Sequence, residues 1–516
     1  MYENIKDKRI VIWGMGILQI DIMELFRFKR LLYIINDFKC PSVNVEYAPP
    51  GIEMHHPERL QTEDRDNLFV LICSDDDDCA ARCLESMGFV WGVNFGFGED
   101  LLINPTLICS IKNKRVHLWG AGNTYAYHKQ DIKEYLENIA GVIVSRLDGA
   151  VYTIDGFTVS EFSDTVIGKD DFIVVCSIYY GEIAELLCEN GYSGKFINIR
   201  TFVKMANLST FASDNCEFDN RVKNSRELLV VLTGYKELVW DSVFPRMKKY
   251  VPEHFDVALI TAGMVNDKIR EICANYNWSY VGTEKNNVSL AVNTAISLHP
   301  EAEYIYKMDE DIFVTRGCFE AMHKTYEKIK NETRYEVGFV TPLIPVNGYG
   351  YVRLLEIFDN VSAWEERFGE LIYTDCYKHH GTIHDSPEAA LFMWGVENPD
   401  FEDIDTMAEI LEKKEYKYSI CPIRYSIGLI LFKRRDWIRM GMFPVSKHEN
   451  LGVDEVHICT YCMMSARVMA VTENTMVGHL HYGGPQREAM EEHYRSHRDK
   501  FLLKDNAPKL MVRGNE

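Results

Sequence analysis

One stretch occurs twice in this chain, and the repetition limits what its first two hundred residues can build. K-R-I-V-I-W-G-M-G at 8–16 returns as K-R-V-H-L-W-G-A-G at 114–122, 106 residues later. F-V-L-I-C-S at 69–74 returns as F-I-V-V-C-S at 172–177, and M-G-F around Gly88 returns as N-G-Y around Gly191, both 103 residues on. Three landmarks in one order define a duplication. Each copy reads as a strand, a glycine turn, a helix, a second strand, then a later strand and helix, the pattern of a small parallel α/β unit. Two Rossmann-like modules are therefore predicted, over 1–108 and 109–205.

A nucleotide's phosphates approach backbone N–H groups only where no Cβ intrudes, at the start of a helix. Gly14 and Gly16 supply such a turn in the first copy, and Gly120 and Gly122 in the second. Gln19 and Tyr125 stand where the third glycine of a dinucleotide fingerprint would be. Asp37, 21 residues after Gly16, is placed to meet ribose hydroxyls, whereas the second copy offers Ser145 or the more distant Asp148. Nucleotide binding and a scaffold or docking role both remain open for these modules. The acids Asp75 to Asp78 suit a solvated helix start.

A formal net charge of -21 argues against a broad nucleic-acid surface, which needs clustered cations. The first residues carry no apolar signal segment, and no apolar run is long enough to span a bilayer, so a cytoplasmic location is expected. The 14 cysteines are scattered, several inside apolar runs (Cys73, Cys109, Cys176), which fits reduced thiols rather than a disulfide framework. Cys459 and Cys462 form a C-x-x-C without a second pair to complete a zinc site and are expected to be ordinary helix cysteines.

The polar stretch 206–225 reads as a linker. A third α/β unit, 226–505, then opens with E-L-L-V-V-L-T-G-Y (227–235) and leads to Y-I-Y-K-M-D-E-D-I-F-V at 304–314. Here an apolar strand ends in two carboxylates one residue apart, Asp309 and Asp311. Hard cations such as Mg²⁺ or Mn²⁺ are held by one or two such carboxylates together with a substrate's phosphates. Further on, G-V-D-E-V at 452–456 puts an acid pair, Asp454 and Glu455, at the start of a predicted helix, and V-G-H-L-H-Y-G-G at 477–484 carries His479 and His481.

In this order of motifs, residues 226–490 resemble the GT-A glycosyltransferases, most closely those of family 2. The expected fold is thus α/β, two tandem Rossmann-like modules followed by a GT-A type nucleotide-sugar transferase domain. The resemblance implies that Asp309 and Asp311, with His479, hold a divalent Mn²⁺ or Mg²⁺ on the diphosphate of a nucleotide-sugar donor. It places donor contacts at Thr233, Tyr235, Asn287, Asn293 and Asp309, and makes Glu455 the base that takes the acceptor's proton, with Asp454 the second candidate. Family members usually order that pair as glutamate then aspartate; here the order is reversed. The first two modules resemble units attached to bacterial polysaccharide-biosynthesis enzymes, so the acceptor implied is a glycan or lipid-linked saccharide of a surface polysaccharide. A lipid-linked acceptor would bring the protein to the inner face of the cell membrane as a peripheral visitor.

The stretch 338–444 is longer than the simplest members need and is expected to form the acceptor side. It carries the aromatics Trp364, Tyr373, Tyr377 and Trp394 and the histidines His379, His380 and His384, of which Trp394 and His384 are the leading candidates. A zinc site on the histidines lacks a fourth ligand. The stretch 426–437, S-I-G-L-I-L-F-K-R-R-D-W, resembles a strand and turn that line the acceptor side, and residues beyond about 506 read as a tail. Two rival functions remain. A sugar nucleotidyltransferase would want a glycine- and basic-rich loop after the first strand, which T-G-Y-K-E does not provide; a non-catalytic nucleotide-binding assembly protein would not need the metal acids.

Overall fold

The computed structural model describes the chain except for residues 1–4, 37–50, 75–76, 148, 150–151, 211–215, 373, 376–377, 380, 446–452, 481–483 and 504–516. Asp37, Asp75, Asp148, Tyr373, Tyr377, His380 and His481 therefore lie outside the described residues. The chain divides into two compact units, Met1–Ser213 and Asp214–Glu516. Both are α/β. No helix among the described residues is long and apolar enough to cross a membrane.

In the first unit, β1 (Arg9–Trp13), β2 (Leu31–Ile35), β3 (Glu53–His55), β4 (Leu68–Ile72) and β5 (Phe95–Phe97) form a parallel sheet in the order β3-β2-β1-β4-β5. The second copy supplies β6 (Val116–Trp119), β7 (Ile139–Val144), β8 (Tyr152–Ile154), β9 (Phe157–Glu161), β10 (Phe172–Val175) and β11 (Lys195–Asn198), ordered β11-β10-β6-β7-β9-β8. Only β8 in this sheet runs against its neighbour. The repeated apolar runs are the central strands: β1 and β4, like β6 and β10, are buried almost throughout, as strands covered on both faces must be.

The two copies are not independent. Helix Ile17–Phe26, from the first copy, packs on β11 of the second, and Ile20 belongs to the apolar cluster of Trp119, Ile143, Ile173 and Phe196. Beside it the fully buried Asp21 accepts hydrogen bonds from the Tyr180 hydroxyl and from Asn198 N. Burial pushes the Asp21 carboxyl up to about 7, against the lowering effect of those bonds and one from Thr201.

The second unit is built on nine strands: β12 (Cys216–Asp219), β13 (Glu227–Thr233), β14 (Asp256–Ala262), β15 (Ser279–Thr283), β16 (Tyr304–Asp309), β18 (Glu336–Leu343), β21 (Tyr418–Ile420), β22 (Leu429–Lys433) and β23 (Arg467–Met476). Their order is β12-β15-β14-β13-β16-β22-β18-β23-β21. β15, β14, β13 and β16 are parallel, whereas β22 is antiparallel to both of its neighbours, β16 and β18. Two short ribbons complete the unit, β17 (Ile312–Phe313) with β24 (Gly478–His479), and β19 (Thr374–Asp375) with β20 (Lys378–His379).

Three expectations change here. Part of the stretch read as a linker is strand β12, which closes the sheet edge against β15. The stretch 338–444 is not wholly an addition to the sheet: most of β18, and β21 and β22, belong to it, while the helices Gly350–Ile357, Val361–Phe368 and Ile404–Lys413 lie between them. Within 426–437, β22 is buried, Arg434 donates to the carbonyls of Ile296, His299 and Ala302 at the end of helix Val288–Leu298, and Trp437 is fully buried. An apolar run flanked by cations reads equally as a binding edge or as a core strand whose arginine caps a neighbouring helix; the latter is found.

Candidate metal and donor site

Asp309 ends β16, and the chain then turns so that Glu310 and Asp311 are buried while Asp309 stays half-buried. β17 follows at once and pairs with β24, setting Ile312 opposite His479. That ribbon carries the histidine to the acids: its Nε2 lies 3.5 Å from Asp311 Oδ1. One ligand atom from each of Asp309, Asp311 and His479 lies within 4.8 Å of the others. Two carboxylate oxygens suit Mn²⁺ or Mg²⁺ in donor type, and an added imidazole nitrogen favours Mn²⁺ of the two, so these residues fit the expected cation.

Two lysines offset the negative charge. Lys236, just after β13, places Nζ 2.8 Å from Asp311 Oδ2. Lys307, within β16 and fully buried, lies 3.4 Å from Asp309 Oδ1 and 3.0 Å from Asp454 Oδ2. Burial alone would raise the Asp311 pKa, but Lys236 and His479 outweigh it and hold the group well below the usual carboxylate range. Burial likewise opposes ionisation of Asp454, and Lys307 reverses the balance and lowers its pKa.

Glu310, the middle residue of the motif, has a different role. Its Oε1 accepts from Tyr235 N and Lys236 N at 2.9 Å, and its Oε2 from Gly234 N at 3.0 Å and Trp240 Nε1 at 2.6 Å. It ties the loop after β13 to the turn that carries Asp309 and Asp311. Burial raises its pKa, against those donors. Sequence reasoning missed Glu310, Lys236 and Lys307; a charged residue inside the apolar run of β16 was the available signal for Lys307.

Of the expected donor residues, Tyr235 is the most open to solvent, 51% exposed, with its hydroxyl 2.6 Å from Ala262 O and 2.9 Å from Asn286 Oδ1, while Asp309 and Asn287 are half-buried. Thr233 is fully buried and donates to Ile260 O inside the sheet, because inward-facing strand positions leave it no path to a ligand. Asn293 is also a core residue: its Nδ2 donates to Phe443 O at 2.8 Å, while its Oδ1 accepts from Trp437 Nε1 and Phe443 N. Asn287 caps helix Val288–Leu298, its Oδ1 accepting from Leu290 N.

The acid pair opens helix Val453–Met464. Glu455 is held by Arg424 through Oε1 and by Ile427 N at 3.3 Å through Oε2. On the expected acceptor side, Trp394 is buried against Phe313 and Phe501, and Trp364 against Tyr351 and Phe368. Large aromatics contribute most by burial, and these two are core rather than open sugar platforms. His384 sits half-buried on the short helix Gly381–Asp385. Cys459 and Cys462 are buried helix residues without metal-binding partners among the described residues.

In the first unit, Gly14 and Gly120 have φ of 120° and 112°, and a Cβ at either would strike the chain leaving β4 or β10, at 2.5 Å from Ser74 N or 2.6 Å from Cys176 O. These glycines serve close strand packing. Gln19 folds back so that its Oε1 accepts from Gly16 N at 3.4 Å, and Tyr125 donates to Asp155. A crevice of about 430 Å³ opens beside Gly120, Ser145 and Ser177, where the strand order reverses, but Glu182, Glu185 and Glu189 line it and oppose a phosphate. No protein-family model matches the chain, and no curated protein matches it.

Proposed function

We propose that the second unit is a metal-dependent glycosyltransferase of GT-A type that moves a sugar from a nucleotide donor to a glycan or lipid-linked acceptor. The observation that carries this reading is the convergence of Asp309, Asp311 and His479 at the end of a central parallel strand. The order β15-β14-β13-β16 beside it supports a nucleotide-binding half, since ligands of open α/β sheets lie outside the carboxyl ends of their strands.

A divalent cation held there would neutralise charge developing on a nucleoside diphosphate leaving group. Tyr235, exposed at the end of β13, offers a ring face to the base. Glu310 fixes the backbone of that loop. Asp454, with its lowered pKa and its oxygen on Lys307, is a poor proton acceptor; Glu455, whose Arg424 partner is 39% exposed, is the better base. Lys307 keeps the acid pair against the metal acids.

Calorimetric titration with nucleoside diphosphates and UDP-, GDP-, CDP- and dTDP-sugars, with and without Mn²⁺, tests the proposal on wild type and Asp311→Ala. Metal-dependent binding of one nucleotide class, abolished by the substitution, is expected. Nucleotide binding indifferent to both metal and Asp311 would refute it.

A further inference from the structure

Building on the metal-dependent reading above, we infer that Lys236 is a resident counter-ion of the metal site, one that gives up Asp311 to the divalent cation and then engages the donor's diphosphate. Two ammonium groups serve this acidic site, and they are built differently. Lys307 belongs to a central strand, is 2% exposed and is shared between Asp309 and Asp454. It cannot leave without abandoning the buried Asp454 and the half-buried Asp309. Lys236 stands on the loop after β13, with a side chain 29% exposed, and its Nζ contacts Asp311 Oδ2, an oxygen of the proposed metal ligand.

A cation entering at Asp309, Asp311 and His479 meets that ammonium as a competitor for the Asp311 carboxylate, and like charges at such range repel. The backbone of Lys236 is pinned by Glu310 Oε1. The exchange is therefore confined to the lysine's flexible four-carbon stem, and the loop that presents Tyr235 keeps its place. A freed ammonium beside the exposed Tyr235 ring stands where an anionic leaving group would arrive, and charge-assisted hydrogen bonds to phosphate are strong. Without ligand, Lys236 spares the protein an uncompensated carboxylate at Asp311; with ligand, the same charge is used twice.

The test is Mn²⁺ binding to the full chain without nucleotide, for wild type, Lys236→Gln and Asp311→Asn. Removing the competitor should tighten Mn²⁺ binding about tenfold in Lys236→Gln, and lower affinity for inorganic pyrophosphate at saturating Mn²⁺ by about tenfold, as expected for a lost charge-assisted contact. A lysine that merely supports the fold would give unchanged or weaker Mn²⁺ binding, which overturns the exchange. Acetylation of wild-type Lys236, read by mass spectrometry, needs no variant: Mn²⁺ should raise it and pyrophosphate should then lower it. Labelling indifferent to Mn²⁺ also overturns the exchange. Mn²⁺ binding to wild type that requires Asp311 but ignores Lys236 removes this inference alone; no Mn²⁺ binding to either wild type or Lys236→Gln removes the metal-dependent reading with it.

Discussion

The Lys307 ammonium lies 3.0 Å from Asp454 Oδ2, and this ion pair joins the acids at the end of β16 to the acid pair of helix Val453–Met464. Both partners are buried, and Lys307 also faces Asp309. Breaking a buried pair by removing one partner typically costs about 3–5 kcal/mol. Lys307→Met should therefore lower unfolding free energy by about that amount in urea titrations, and Lys307→Met with Asp454→Asn should recover much of it.

The two members of the acid pair should separate kinetically. Glu455→Gln is expected to lower kcat by about 10²–10⁴-fold with little change in donor binding, the range for loss of a positioned general base. Asp454→Asn, by contrast, leaves Lys307 with Asp309 as its one charged partner among the described residues and should lower stability and turnover together. Steady-state kinetics and thermal unfolding of both variants distinguish the roles; the opposite pattern would make Asp454 the base.

Glu310→Gln keeps the size of the side chain but removes its charge. Hydrogen bonds to a charged acceptor are worth about 1.5–3 kcal/mol each, so the loop carrying Tyr235 and Lys236 should loosen. Nucleoside diphosphate affinity is expected to fall about tenfold, while Mn²⁺ affinity without nucleotide changes less. Paired titrations measure both.

Asn293→Ala leaves the N–H groups of Phe443 and Trp437 without their acceptor in the core. A loss of about 2–4 kcal/mol is expected, with nucleotide affinity unchanged in the folded protein. A donor-binding asparagine would behave in the reverse way.

Asp21 gives the first unit a pH dependence. Its pKa rises from 3.8 to about 7 on folding, so the folded state binds the proton more tightly. The stability linked to this group is fully present below pH 3.8, falls as pH rises toward 7, and stays low above it. Asp21→Asn should remove that slope and add on the order of a few kcal/mol at pH 8 relative to wild type. Urea unfolding of the full chain at pH 5 and pH 8, followed by a probe in the first unit, reads the difference.

The duplicated strands were legible because burial on both faces writes uninterrupted apolar runs, and glycines at Gly14 and Gly120 mark where a strand end must be approached closely. Asp309, Asp311 and His479 were legible as types and spacings, and the ribbon of β17 with β24 brings them together. Asn293 and Thr233 misled because a polar residue in a buried helix or strand looks the same in sequence whether it faces a ligand or bonds to the neighbouring backbone. Trp364 and Trp394 misled for a related reason: an aromatic side chain fills a core as readily as it lines a cleft. Lys236 and Glu310 act through partners dozens of residues away, contacts that no local pattern encodes.

Helix Ile17–Phe26 gives the repeated half of the chain a property that neither copy has alone. Because a first-copy helix covers the sheet of the second, a chain severed at residue 108 would leave β11 without its cover and Ile20 without its cluster. Severing would also leave Asp21 without Tyr180 and Asn198. The two copies are thus expected to behave as one piece, neither being excised, transplanted or replaced by a foreign domain without loss to the other.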